Sequence, residues 1–86
     1  LLKNHGLLID ERAESRLNTS IHMFFMFFDI TAIWISQDLK VVDKRIALKG
    51  RPAYMSITPA RYVLELNTEN FLDFKIGDQL QFIYEK

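Results

Sequence analysis

Ile30-Thr31-Ala32-Ile33-Trp34-Ile35 is the stretch whose reading decides the fold. Periodicity does not separate a buried strand from a buried helix in so apolar a run, so length and residue type arbitrate. The segment is short and rich in β-branched and aromatic side chains, which fit a pleated sheet. Its apolar residues fall on both faces, as in a central strand covered on each side. Just before it, Ile21 to Phe28 is almost uniformly large and apolar. We read this as a further strand, with a bend near Asp29.

Working outward toward the C-terminus, Ser36-Gln37-Asp38-Leu39 is a tight polar connection into Lys40 to Leu48, and the two runs read as a hairpin. Lys49 to Pro59 contains Gly50, Pro52 and Pro59 and reads as a loop or irregular edge. In Arg61 to Leu66 the residues alternate: Tyr62, Leu64 and Leu66 share one face, Arg61 and Glu65 the other. Asn67 to Phe74 fits one helical turn capped by Asn67 or Thr68. Gly77-Asp78 is a turn, and Leu80, Phe82 and Tyr84 alternate as a last strand. Toward the N-terminus, Gly6 to Ile9 is a short strand. Asp10 to Arg16 is either one or two helical turns or a loop, and Asn18-Thr19-Ser20 is a turn. Short strands at close spacing predict an all-β, mainly antiparallel domain, a compact β-sandwich or small barrel with at most one or two short helical turns.

Composition agrees with one domain over residues 1–86. Hydrophobic residues make up 49% of the chain, and seven Phe, three Tyr and one Trp supply enough apolar surface to offset the entropy of ordering it. Eleven basic and eleven acidic residues cancel, so no global field draws the chain to nucleic acid or anionic membrane. The absence of Cys excludes disulfides, thiolate chemistry and Cys-ligated zinc. No secretory signal is visible, which predicts a cytoplasmic protein if the chain is complete. The run Ile21 to Ile35 is shorter than the roughly 20 residues of a spanning helix and contains His22 and Asp29. It reads as core rather than membrane.

Gly6-Leu7-Leu8-Ile9, Ser20-Ile21-His22 with Phe24 and Met26, the Val-Leu-Glu-Leu core of Ala60 to Leu66, and Gly77-Asp78 together resemble one prokaryotic family, known as domain of unknown function one-nine-two. The resemblance spans roughly Gly6 to Phe82 and implies a compact β-sandwich-like domain with no established activity. Where family members commonly read Pro-Ile-Asp, this chain reads Asp29-Ile30-Thr31, which shifts the carboxylate by two residues. The family also usually has a longer N-terminal region with a further strand, so a sheet edge is expected to be absent or exposed here.

The candidate ligand-binding residues are His22, Met26, Asp29 and Glu65. His22 is an imidazole inside a Phe and Met run, available as a base or ligand, or else simply hydrogen-bonded within the core. Met26 belongs to the Phe24-Phe25-Met26-Phe27-Phe28 run, which lines an adaptable apolar pocket or packs as ordinary core. Asp29, Glu65 and Asp78 would join His22 in an oxygen- and nitrogen-rich site, although no metal-binding spacing is present. The plainer reading pairs Glu65 with Arg61 or a lysine of a neighbouring strand, and makes Asp78 a turn residue. Lys44, Arg45 and Arg51, with Tyr54, are the candidates for a basic surface, and nucleic acid is not the expected partner. No serine is framed as a nucleophile and no phosphate loop exists.

These readings predict a non-enzymatic binding module, contacting a protein or small-molecule ligand through an apolar groove or sheet edge, with self-association through exposed rings as a further expectation. No metal or cofactor is expected. The alternative is a minimal metal-binding or acid–base enzyme domain centred on His22 and Asp29.

Overall fold

The structure, a computed structural model, describes residues 6–10, 27–50 and 60–83. Its framework is an antiparallel sheet of β1 (Gly6–Asp10), β2 (Ile30–Ile35), β3 (Val41–Ala47) and β4 (Tyr62–Leu66), in the order β1-β4-β2-β3. One short 3-10 helix follows, Thr68–Asp73. The all-β, mainly antiparallel class is therefore as the sequence predicts, with one short 3-10 helix among the described residues. Among the described residues the strands form one sheet.

All six residues of β2 are buried, as expected of a strand with apolar side chains on both faces. On one face Ile9, Ile30, Ala32, Trp34, Ala47 and Val63 form a core cluster. On the other, Ile33, Ile35 and Val41 pack with Leu39, Tyr62, Leu64, Leu66, Phe74 and Leu80.

The β2–β3 connection is held by Ser36. Its N–H donates to Lys40 O at 2.9 Å, and its Oγ accepts the Lys40 N–H at 3.1 Å. Its hydroxyl also donates to the Asp38 carboxylate. Leu39 takes a left-handed φ of 65° there, which turns the chain while its side chain stays with the second-face core. A register shift between Trp34 and Ile35, opposite Asp43 and Val41, marks a bulge just inside the hairpin.

Two strand expectations change. Phe27 is helical, and Phe28 and Asp29 are irregular, so no strand occupies the end of the Ile21 to Phe28 run that is described; residues 21–26 lie outside the described residues. The expected last strand is reduced to one bridge, Gln79 with Lys40. Alternation at Leu80 and Phe82 reflects loop packing instead: Leu80 joins the second-face core and the Phe82 ring meets Tyr62 edge-on at 5.4 Å. The segment is anchored by backbone bonds, Val41 N to Asp78 O at 2.9 Å, Gly77 N to Val41 O at 2.7 Å and Leu80 N to Leu39 O at 2.8 Å. Gly77, at φ 96°, provides the turn.

β1 lies against β4 with Gly6 opposite Leu66. A Cβ on Gly6 would sit 2.4 Å from Leu66 Cδ2 and 3.0 Å from the Glu65 carbonyl, so a larger residue there would require the Leu66 side chain to shift.

Truncating the centre of β2 should be costly and truncating an exposed apolar residue should not. Ile33→Ala is expected to lose about 2–5 kcal/mol, and Leu72→Ala, exposed in the 3-10 helix, less than about 0.5 kcal/mol. Urea denaturation of the two variants measures both.

Candidate functional site

The chemistry-bearing residue that the fold singles out is Glu65. β4 pairs with β1 on one side and β2 on the other, and the registers place Glu65 between Leu7 and Ala32. The next residue in that row is Arg45, opposite Ala32 on β3. Alternation puts Glu65 on the same face as Val63, and that face is core. The residue has no exposed surface. Among the described residues, neither of its carboxyl oxygens has a hydrogen-bond partner.

Burial without a partner penalises the ionised form, and the Glu65 carboxyl is pushed up from 4.5 to about 7. Thr31 shows what a satisfied polar group looks like in the same sheet. It is equally buried, and its Oγ1 donates to Asn67 O at 2.9 Å.

The expected partners of Glu65 are engaged elsewhere. Arg61 precedes β4; its Nε lies 3.5 Å from Asp10 Oδ1 and its guanidinium 5.1 Å from the Tyr62 ring centroid. Lys44 is opposite Ile33 and so projects to the second face, where Nζ donates to Phe71 O at 3.1 Å and lies 4.0 Å from the Phe71 ring centroid. Arg45 shares the face of Glu65, but Ala32 and its strand lie between them, a separation of two strand spacings or roughly 10 Å. Its Nε sits 3.8 Å from Asp43 Oδ2. Lys44 and Arg45 thus occupy opposite faces of β3, and Arg51 and Tyr54 lie outside the described residues.

Asp29 is not gathered to Glu65. It is exposed, and its Oδ1 accepts the Lys49 N–H at 2.7 Å, which closes the end of the sheet where Ile30 meets Ala47. Asp78 is the turn residue expected, its Oδ2 accepting the Lys75 N–H at 2.9 Å. His22 and Met26 lie outside the described residues. Among the described residues no group of three His, Asp or Glu side chains is placed to hold a metal ion. Beside Asp29, the Phe27 and Phe28 rings, 6.4 Å apart, are exposed, as is Leu48. Among the described residues, no helix is long and apolar enough to cross a membrane.

Sheet and site together define a small all-β antiparallel fold in which, among the described residues, a central strand carries a fully buried carboxyl with no hydrogen-bond partner. The chain belongs to the family DUF192, described as an uncharacterized ACR, whose model matches residues 1–82. It is similar to a UPF0127 protein of Thermococcus gammatolerans, 43% identical over 77 residues that cover 87% of this chain and 50% of the relative. A UPF0127 protein of Thermococcus kodakarensis is 45% identical over 62 residues, covering 72% of this chain and 39% of the relative. One from Pyrococcus abyssi is 31% identical over 87 residues, covering 96% and 74%. The chain spans about half the length, or less, of the two Thermococcus relatives. No solved structure gives a significant match.

The raised carboxyl makes stability depend on pH with a definite sign. Below 4.5 the group is protonated in folded and unfolded chains alike, and its titration makes no difference to stability. Between 4.5 and about 7 the unfolded chain has released a proton that the folded chain still holds, so stability falls as pH rises. Above about 7 the loss is complete. This contribution is expected to lower stability by about 2–3 kcal/mol between about pH 5 and about pH 8. Glu65→Gln should remove most of that slope, as checked by denaturant unfolding at the two pH values.

Proposed function

We propose that this domain is a non-enzymatic binding module, and that Glu65 is the group that recognises its ligand. The observation that carries the reading is that both carboxyl oxygens are buried and, among the described residues, unpartnered. Leaving a polar group buried and unsatisfied costs about 1–3 kcal/mol, more for a charge. A leucine at the same position on an apolar face would carry no such cost. A ligand that donates hydrogen bonds to the two oxygens would recover the cost, and the apolar neighbours Leu7, Ala32, Val63 and Trp34 would strengthen those bonds by excluding water. The ligand chemistry implied is a small molecule or side chain bearing an amine, guanidine or amide N–H.

The same carboxyl supports a second reading, because a glutamate near 7 is matched to general acid–base work at neutral pH. Acid–base chemistry ordinarily pairs such a group with another titratable one. Asp43 and Arg45, the charged residues of β3 on this face, stand across Ala32 and lie close to each other. That separation favours the binding module.

A thermal-shift panel of small amines, guanidines and amides at about pH 7 tests the proposal. A true ligand at about 100 times its dissociation constant should stabilise the protein by about 2.7 kcal/mol. Its affinity should fall at least about tenfold in Glu65→Gln, the loss of one charge-assisted hydrogen bond. Ligands that stabilise the wild type and the variant equally would contradict it.

A further inference from the structure

Ionisation of a carboxyl buried without a partner among the described residues is opposed by its surroundings, and the opposition can be relieved by whichever neighbouring element is easiest to move. Glu65 has two flanking strands. β2 is buried at all six positions and is paired on both edges. β1 is five residues long, is hydrogen-bonded to β4 alone among the described residues, and buries only Ile9 fully. Leu7, directly opposite Glu65, is partly buried, and Gly6 and Leu8 are exposed. Strands with few buried contacts open locally at a free energy well below that of global unfolding.

We propose that β1 is a proton-gated flap: it lies closed on β4 while the Glu65 carboxyl is protonated, and ionisation of that carboxyl releases it, opening Glu65 and one edge of β4 to solvent. Charges that would hold the ionised group in place are absent from the described residues facing it. From β1 the facing residues are Leu7 and Ile9, and from β2 they are Ile30, Ala32 and Trp34, with no titratable group among them. Val63 is its neighbour on β4 itself. Asp43 and Arg45 are the charged groups further along the face, on β3, and Arg45 is close to Asp43. At the far end of β1, Asp10 is opposite Tyr62 and is paired with Arg61. That end is therefore tethered, and release is expected to run from the Gly6 end.

The flap supplies an entry route to Glu65, but it does not depend on a ligand, so its test is separate from that of the binding reading. The test is amide hydrogen exchange on the whole chain at about pH 5 and about pH 8, corrected for intrinsic exchange rates. With the carboxyl at about 7 when closed and 4.5 when exposed, protection of the β1–β4 amides should fall roughly 70-fold across that range. Amides paired between β2 and β3, which open only with the whole sheet, should stay more protected than those of β1 at both pH values. Glu65→Gln should abolish the pH dependence at β1. Protection of the β1–β4 amides equal to that of the β2–β3 ladder at both pH values would overturn the proposal in favour of global unfolding, and β1 protection unchanged with pH would overturn it outright. Both outcomes can be read in the wild type alone, should Glu65→Gln fail to fold.

Discussion

The pairing of β2 with β4 is the interaction on which the rest of the structure depends. Its register sets Thr31 against Leu66, Ala32 against Glu65, Ile33 against Leu64 and Trp34 against Val63. Both core clusters are assembled from alternate members of these pairs. A slip of one residue would send every side chain of one strand to the opposite face. It would turn Ile33 and Ile35 away from Tyr62, Leu64 and Leu66, and would bring Glu65 among them. The register therefore fixes the core and commits Glu65 to the face of Ala32 and Val63 in one step.

Once committed, the carboxyl is a burden on a small domain. A shift from 4.5 to about 7 corresponds to about 3 kcal/mol lost at alkaline pH. Domains of this size hold only about 5–15 kcal/mol in all. The second face shows the sheet's ordinary way with polar groups, since Thr31 finds Asn67 O and Lys44 finds Phe71 O beside an aromatic ring. Among the described residues, only Glu65 combines a carboxylate with full burial and two unpartnered oxygens. That contrast within one sheet is why the residue is read through ligand recognition and local opening rather than through stability.

Much of the sheet was legible because its strands carry strong local patterns. Ile30 to Ile35 could hardly be anything but central, Ser36 to Leu39 is turn chemistry, and Tyr62-Val63-Leu64-Glu65-Leu66 alternates. The failures share one cause, which is that tertiary context decides between equal local patterns. Leu80 and Phe82 alternate as a strand would, yet they pack as a loop against Leu39 and Tyr62. Asn67 or Thr68 is the cap the sequence predicts, and Asn67 does stand at the N-cap, but without a side-chain cap bond: its backbone oxygen accepts the Asn70 N–H, and the turn is 3-10. Glu65 looked like one half of a solvated pair with Arg61 because the two share a parity. The signal against that was Val63, an apolar residue on the same face, which marks the face as interior. Val63 and Glu65 are both fully buried, so this face of β4 is interior and the carboxyl is interior with it.

The central claim, that the β2–β4 register commits Glu65 to a buried face where its carboxyl has no partner among the described residues, is tested most directly by following that side chain's carboxyl carbon by NMR as pH is varied on the intact protein. The account predicts that its resonance titrates at about 7. A midpoint at the ordinary 4.5 would mean that the carboxyl is solvated or partnered, and would contradict the account.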